Sequence, residues 1–158
     1  MKYLSQRDNQ WAQVSLGRSR ATVGRYGCTT TCISMLTDYF GYWHSPKDLA
    51  KEIIQYTYHP KYPKQSEGLI LWPSVDNTKC MKFEKRLYGR KDDEILISLA
   101  DPKKAVIFEV NGCHWVVGVK KTMFGNDYWI IDPWDGKKKT LTEGKYRITG
   151  SAHFIKKS

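Results

Sequence analysis

The chain has 158 residues, of which 41% are hydrophobic and 13% aromatic, enough for one domain with its own buried core. This composition excludes an intrinsically disordered protein, and no apolar run approaches the roughly 20 residues of a membrane-spanning helix. Lysine and arginine number 26 against 16 aspartates and glutamates, so the net charge is +10 and is spread along the sequence. Such a charge attracts anionic polymers, including those of cell walls, and is equally compatible with a basic surface that has no dedicated partner. Nucleic acid is not the expected partner, because the usual nucleic-acid-binding motifs are absent.

Residues 1–6 contain one lysine and no hydrophobic segment, unlike a secretory signal peptide. We therefore expect synthesis in the cytoplasm, with any export by another route. The four cysteines are Cys28, Cys32, Cys80 and Cys113. Their spacing favours neither a disulfide nor a metal site, because Cys28 and Cys32 lie one helical turn apart and no second close pair exists. Four free thiols, no metal and no cofactor are expected.

The first third of the chain predicts helices. Residues 1–27 have an irregular pattern, and apolar residues at helical spacing then predict a helix over residues 28–40, ended by Gly41. A second helix is expected after Ser45, a favourable N-cap that is followed by Pro46 at the first helical position.

The rest of the chain predicts a loop and then mainly strands. Residues 55–80, rich in tyrosine and proline, are interpreted as a substrate-facing loop with a short helical turn near residues 69–72. A helix is expected over residues 92–99, and the three lysines at 137–139 are interpreted as a solvated turn. Five segments have strand character: 81–87, 105–110, 114–120, 127–132 and 146–155. Helices followed by an antiparallel sheet predict one α+β domain over residues 1–158.

The dipeptide Gly27-Cys28 at the start of the first predicted helix is the strongest functional signal. A cysteine in the first turn of a helix has its sulfur near the positive end of the helix dipole, which favours thiolate over thiol. Downstream, His114 opens one predicted strand and Asp132 closes the next. A histidine can ionise a thiol, and a carboxylate can hold the imidazole in the required tautomer. Cys, His and Asp in this order are typical of a papain-type cysteine hydrolase, so we predict an enzyme.

The strands that carry His114 and Asp132 form a predicted antiparallel hairpin, in which paired residues point to the same face. Because both residue numbers are even, the two side chains share a face only if the loop has an odd number of residues. We therefore predict a five-residue loop over residues 122–126, which places Val116 opposite Asp132. The same alternation turns Cys113 away from His114, as a core or opposite-face thiol.

Short motifs extend this pattern over nearly the whole chain: Tyr3-Leu-Ser-Gln6-Arg-Asp-Asn-Gln-Trp11, Tyr26-Gly-Cys28, Ser34-Met35, Tyr39-Phe40-Gly41, His114-Trp-Val-Val-Gly118 and Ile131-Asp-Pro-Trp134-Asp-Gly136. In their order and spacing, the chain resembles the papain-fold cysteine peptidases related to bacteriocin leader peptidases. The resemblance implies a papain-like fold, with N-terminal helices packed on a C-terminal antiparallel sheet and the nucleophile at a helix N-terminus. It also implies a catalytic triad of Cys28, His114 and Asp132.

The resemblance further implies that a glutamine upstream of the nucleophile donates its side-chain amide to the oxyanion. Gln6 fits this position best, and Gln10 and Gln13 stay open as alternatives. Three more residues flank the triad and are expected to face the substrate: Thr29, Trp115 and Trp134.

The chain departs from the pattern of the family in two ways. Thr29 and Thr30 follow the nucleophile, where family members commonly have small residues or Gly-Pro, and Cys32 stands one turn later, where serine is common. No catalytic group is lost by these changes, but extra bulk beside the nucleophile would restrict the substrate or mark a degenerate site. Cys32 itself is expected in the core.

The favoured function is hydrolysis of amide bonds in peptides or in bacterial cell-wall peptidoglycan. Family members of this size and charge resemble phage-encoded, endolysin-like peptidases, which reach the wall through lysis or as part of a virion. Two alternatives belong to other classes: a non-catalytic basic binding module on a peptidase scaffold, and a Cys-dependent acyltransferase that transfers the acyl group to an amine.

Overall fold

The computed structural model describes residues 1–61 and 68–158. Its strands are β1 (Met81–Tyr88), β2 (Lys104–Val110), β3 (His114–Lys121), β4 (Tyr128–Asp132), β5 (Lys137–Thr140) and β6 (Ile148–Lys156). They form one six-stranded antiparallel sheet in the order β1-β6-β2-β3-β4-β5. The α-helices are α1 (Val23–Tyr26), α2 (Cys28–Tyr39), α3 (Pro46–Asp48), α4 (Asp92–Ala100) and α5 (Leu141–Gly144). A π-helical turn, Leu49–Ile53, continues α3, and a 3-10 helix spans Trp72–Asn77.

The sheet buries both of its faces, which explains why its central strands are almost continuously apolar. On one face, a cluster that includes Ile107 and Val117 packs against residues of α2 such as Leu36. On the other face, the alternate strand residues, among them Phe108, pack against Ile95 of α4. The predicted α+β architecture is therefore confirmed in its coarse form.

Helix α2 and the start of α3 agree with the sequence prediction. Helix α2 ends at Tyr39, and Gly41 adopts a φ of +96°, a conformation that glycine favours, so the helix cannot continue. The Ser45 hydroxyl accepts a hydrogen bond from the backbone N–H of Asp48, and Pro46 takes the first helical position. Local capping chemistry therefore fixes both boundaries.

Two local predictions need correction. The segment over residues 55–80 is more ordered than predicted, because Tyr56 and Ile70 form an isolated antiparallel bridge, and the helical turn expected near residues 69–72 is a 3-10 helix that begins at Trp72; residues 62–67 lie outside the described part. Residues 137–139 are not a solvated turn, since they belong to β5, which pairs with β4 at the sheet edge. Lysines suit an edge strand because they discourage pairing with a further chain.

Among residues 1–61 and 68–158, no helix has the length and apolar character needed to cross a membrane.

Candidate active site

The junction between α1 and α2 places Cys28 at the first position of a 12-residue helix. Gly27 is the only residue between the two helices, and a Cβ there would lie 2.5 Å from the carbonyl oxygen of Val23. Only glycine therefore fits at this junction, where the chain passes directly from the end of α1 into α2. The first backbone N–H groups of a helix have no partner within it, so Cys28 sits where donors and the positive end of the helix dipole converge.

His114 is the first residue of β3 and is oriented by Asp132, the last residue of β4. Its Nε2 lies 2.8 Å from Asp132 Oδ1, and since an ionised carboxylate only accepts hydrogen bonds, Nε2–H donates. The opposite nitrogen, Nδ1, is then the one left to interact with Cys28. Burial lowers the pKa of His114, but hydrogen bonds to Asp132 and Cys28 and the charges of both groups raise it to about 9.

The register that brings His114 to Asp132 has a different origin from the predicted one. Lys121 pairs with Tyr128, so the turn contains six residues and the predicted five-residue loop is wrong. An even number of loop residues alone would place His114 and Asp132 on opposite faces of the sheet. A β-bulge at Val119 adds one unpaired residue to β3, so that Val117 pairs with Ile131 and the two side chains share a face. The predicted outcome, with the histidine and the aspartate in contact, is confirmed, although a bulge and not the loop length produces it.

Asp132 is buried, with 1% exposure, and both of its oxygens have hydrogen-bond donors. Oδ1 also accepts from the backbone N–H of Trp134 at 3.0 Å, while Oδ2 accepts from the Tyr146 hydroxyl at 2.5 Å and from Lys139 Nζ at 3.4 Å. Burial raises the pKa of Asp132, but hydrogen bonds from His114, the Tyr146 hydroxyl and the Trp134 backbone, together with the charge of His114, hold it well below the usual range. The carboxylate is therefore ionised and held in one orientation.

Gln6 lies in the same cleft and is 2% exposed, whereas Gln10 and Gln13 are exposed and do not line the cleft. Its Nε2 donates to the carbonyl oxygen of Gly24 at 3.2 Å, which uses one of two amide hydrogens, and its Oε1 is buried without a hydrogen-bond partner. The backbone N–H of Gln6 donates to the Pro133 carbonyl at 2.6 Å. This bond ties the N-terminal segment to the turn that follows the aspartate.

The cleft over these groups has a volume of about 480 Å³. It is lined by Cys28, His114 and Gln6, and also by the three residues expected to face substrate: Thr29, Trp115 and Trp134. Trp115 packs edge-on against Trp72 with ring centroids 5.3 Å apart, and Trp134 is 45% exposed beneath the guanidinium of Arg7. All seven site residues predicted from the sequence therefore lie in one region of the fold, with Asp132 behind His114.

The two remaining cysteine predictions near the site have opposite outcomes. Cys32 is fully buried, as expected, and its thiol lies 3.5 Å from the Trp115 carbonyl oxygen, where it joins α2 to β3. Cys113 is exposed and lines the cleft, so its assignment to the core or the opposite face is wrong. It belongs to the turn before β3, where the alternation of a strand does not apply.

Tyr146 and Lys139, which both contact Asp132, were missed by the sequence analysis. Tyr146 follows Asp132 by 14 residues, in the connection between α5 and β6, and Lys139 follows it by 7 residues, on β5; both contact it only in the folded chain. Among the described residues, no group of three or more His, Cys, Asp or Glu side chains could hold a metal ion.

No family model, curated protein or solved structure matches the chain. What the cleft can do chemically therefore follows from its own groups. A sulfur nucleophile, an imidazole with an ionised carboxylate behind it, and amide donors beside the sulfur can together support acyl transfer.

Proposed function

We propose that the chain is a cysteine hydrolase that cleaves amide bonds with a triad of Cys28, His114 and Asp132. The observation that carries this proposal is the hydrogen bond of 2.8 Å between His114 and Asp132 in the cleft that Cys28 shares. A buried carboxylate that holds an imidazole beside a thiol at a helix N-terminus is the arrangement that activates sulfur.

The reaction proceeds in two halves. The Cys28 thiolate attacks the carbonyl carbon, and the oxyanion that forms is stabilised by the backbone N–H of Cys28 and by the second amide hydrogen of Gln6. The His114 imidazolium gives its proton to the leaving amine, the C–N bond breaks and a thioester remains. His114 then accepts a proton from water, whose oxygen attacks the thioester and releases the acid and the thiolate. Asp132 stays ionised throughout and orients the imidazole.

The proposed substrate class rests on the resemblance to papain-fold bacteriocin leader peptidases and on the charge. A helix start that faces an antiparallel sheet across a cleft is compatible with a papain-like fold. The net charge of +10 would hold the protein near anionic wall polymers. We therefore favour peptides or the peptide part of bacterial peptidoglycan, with action at the wall after lysis or from a virion.

The test compares Cys28→Ala with a matched control, Cys113→Ala, which removes an exposed thiol from the same cleft. Purified sacculi from several bacteria and a library of short peptides are incubated with each protein, and new chain ends are identified by mass spectrometry. We expect the wild type and Cys113→Ala to release new amines and acids, and Cys28→Ala to release none. Equal turnover by Cys28→Ala, or no turnover by any of the three proteins, would overturn the proposal.

The same experiment, repeated with an added amine acceptor, separates the two other function classes. Thr30 is 1% exposed and its hydroxyl lies 2.6 Å from the Tyr56 hydroxyl, so it forms part of the wall of the cleft and does not close it. Wall binding without turnover would identify a non-catalytic binding module. A product that carries an added amine acceptor in place of water would identify an acyltransferase.

A further inference from the structure

We propose that Tyr146 is a positioning residue of the site, which holds the Asp132 carboxylate in the orientation that aims His114 at Cys28. This inference deepens the proposed function and rests on it for its catalytic consequence. Its structural content, the orientation of one carboxylate by one hydroxyl, can be measured without any substrate.

The two oxygens of Asp132 have separate tasks. Oδ1 faces His114, while Oδ2 accepts from the Tyr146 hydroxyl at 2.5 Å, the shortest contact that Asp132 makes. Lys139 Nζ is farther from Oδ2, at 3.4 Å, and is closer to Asp135, at 2.9 Å. Rotation of the carboxylate about its Cβ–Cγ bond would break the bonds of Oδ1 to His114 and to the backbone N–H of Trp134. The Tyr146 hydroxyl is the principal contact that opposes this rotation from Oδ2.

The segment before Tyr146 positions its hydroxyl. Helix α5 begins with a capping box, in which Thr140 and Glu143 satisfy each other's backbone N–H groups. The chain then turns through Lys145, which has a left-handed φ of +57°, and the Tyr146 N–H donates to the Leu141 carbonyl. At Gly144, a Cβ would lie 2.5 Å from the Tyr146 ring, so only glycine leaves room for the ring in this position.

A second connection joins the backbone around Tyr146 to the turn that precedes His114. Asn111, with a φ of +54°, donates from Nδ2 to the Lys145 carbonyl at 3.2 Å. The Arg147 N–H donates to Asn111 Oδ1 at 2.9 Å, and the Asn111 N–H donates to the Arg147 carbonyl at 2.9 Å. Both neighbours of Tyr146 are thus fixed to the turn that begins β3, so Tyr146, Asp132 and His114 are held as one unit.

The ionisable groups around Tyr146 define how the test is interpreted. His114 packs against the tyrosine ring with centroids 5.6 Å apart, and the carboxylates of Asp132 and Asp135 act on the hydroxyl through their charge. Lys139 contacts both carboxylates, and the Cys113 thiol is the remaining ionisable group nearby. A hydroxyl that donates to a carboxylate draws charge from it, so its removal alone would leave the His114 pKa unchanged or higher. A carboxylate that turns away would lower the His114 pKa, and the sign therefore distinguishes positioning from electrostatics.

The experiment is Tyr146→Phe, which removes one oxygen and keeps the ring, with the His114 pKa followed by NMR in the intact protein. We expect this pKa to fall from about 9 by about one pH unit or more. Tyr128→Phe is the matched control, because Tyr128 donates to Asp92 at 2.8 Å in a similar tyrosine–aspartate bond away from the cleft. The Tyr128→Phe variant should leave the His114 pKa unchanged. A His114 pKa in Tyr146→Phe that equals or exceeds the wild-type value would overturn the proposal.

A second variant and a kinetic readout complete the test. Asn111→Gly keeps the left-handed backbone and removes the side chain that fixes both neighbours of Tyr146, so it should lower the His114 pKa in the same direction; an unchanged pKa would contradict the connection. With an amide substrate, kcat of Tyr146→Phe should fall about tenfold while KM stays within about twofold. If the NMR shift occurs and the wild type hydrolyses nothing, the proposed function fails and the positioning role stands.

Discussion

The free energy of unfolding should fall as the pH rises from 6.5 to 9, because His114 keeps its proton in the folded chain over this range. Its pKa is raised from 6.5 to about 9 in the folded protein. A group whose pKa is raised by folding stabilises the folded state fully below its unfolded pKa and loses that contribution as the pH passes the folded pKa. The site should therefore be most strongly held together below pH 6.5 and weakest above pH 9.

The size of the effect follows from the difference between the two pKa values. At about 1.4 kcal/mol per pKa unit, a rise from 6.5 to about 9 corresponds to a loss of about 3 kcal/mol across the interval. His114 has a side-chain exposure of 19%, so solvent screens this interaction only in part. The other two histidines with shifted values, His44 and His153, have lowered pKa values and titrate in the folded chain below this interval.

Asp132→Asn isolates the contribution of the ion pair. Burial lowers the pKa of His114, and the substitution removes the hydrogen bond and the charge of Asp132, which oppose that effect, so the pKa should fall below about 9, while Cys28 still raises it. Urea unfolding followed by tryptophan fluorescence at half-unit pH steps gives the free energy for both proteins. Between pH 6.5 and 9, the wild-type curve should descend more than that of the variant, by at most about 3 kcal/mol, since the contribution of Cys28 is present in both proteins. Parallel curves over that interval would refute the assignment of a charged His114–Asp132 pair.

Three further predictions concern the frame of the cleft. Gly27→Ala should lower the free energy of unfolding by about 2 kcal/mol, measured by urea denaturation, because the new Cβ meets the backbone of Val23. Arg86→Ala should cost about 2 to 3 kcal/mol in the same assay, since it leaves the mostly buried Glu109 carboxylate without its partner at 3.0 Å. In a Cys28→Ala variant, iodoacetamide should modify Cys113 alone in the folded protein, which peptide mapping by mass spectrometry can establish.

Each of these predictions has its control. In Gly89→Ala, the new Cβ would have no atom within 4 Å, and the only cost is that of a left-handed φ of +78°, so the free energy of unfolding should fall by about 1 kcal/mol. An equal loss in Gly27→Ala and Gly89→Ala would contradict the steric argument. The double variant Arg86→Met with Glu109→Gln removes both charges and should recover part of the lost stability. Modification of Cys32 or Cys80 at the rate of the exposed thiol would be incompatible with their burial, which raises the pKa of each.

The part of the site that could be predicted from sequence is the part that depends on local chemistry. Gly27-Cys28 at a helix start, a histidine that opens a strand and an aspartate that closes the next are readable because each involves neighbours in the chain. Gln6 was separated from its two alternatives only by the fold, which buries it in the cleft and leaves the others exposed.

The part that could not be predicted depends on contacts between distant segments or on a shift of one residue. The bulge at Val119 has no sequence pattern of its own. A five-residue loop without a bulge gives the same pairing near His114 as the six-residue turn with the bulge, so the predicted contact was right although the predicted loop was wrong. Cys113 was misassigned because the turn extends one residue further than the alternation suggested. Tyr146, whose hydroxyl reaches Asp132, follows a helix of four residues that is too short to show a recognisable periodicity.

The bulge also separates the tip of the β3–β4 ribbon from the chemistry at its base. Beyond it, Met123 and Phe124 are 88% and 84% exposed, and the pairing that aligns the histidine with the aspartate is fixed on the near side of Val119. An epitope or a fluorescent reporter grafted between Phe124 and Gly125 would therefore extend the ribbon into solvent without altering that alignment. The tip is thus a suitable attachment point for imaging or immobilising the folded protein.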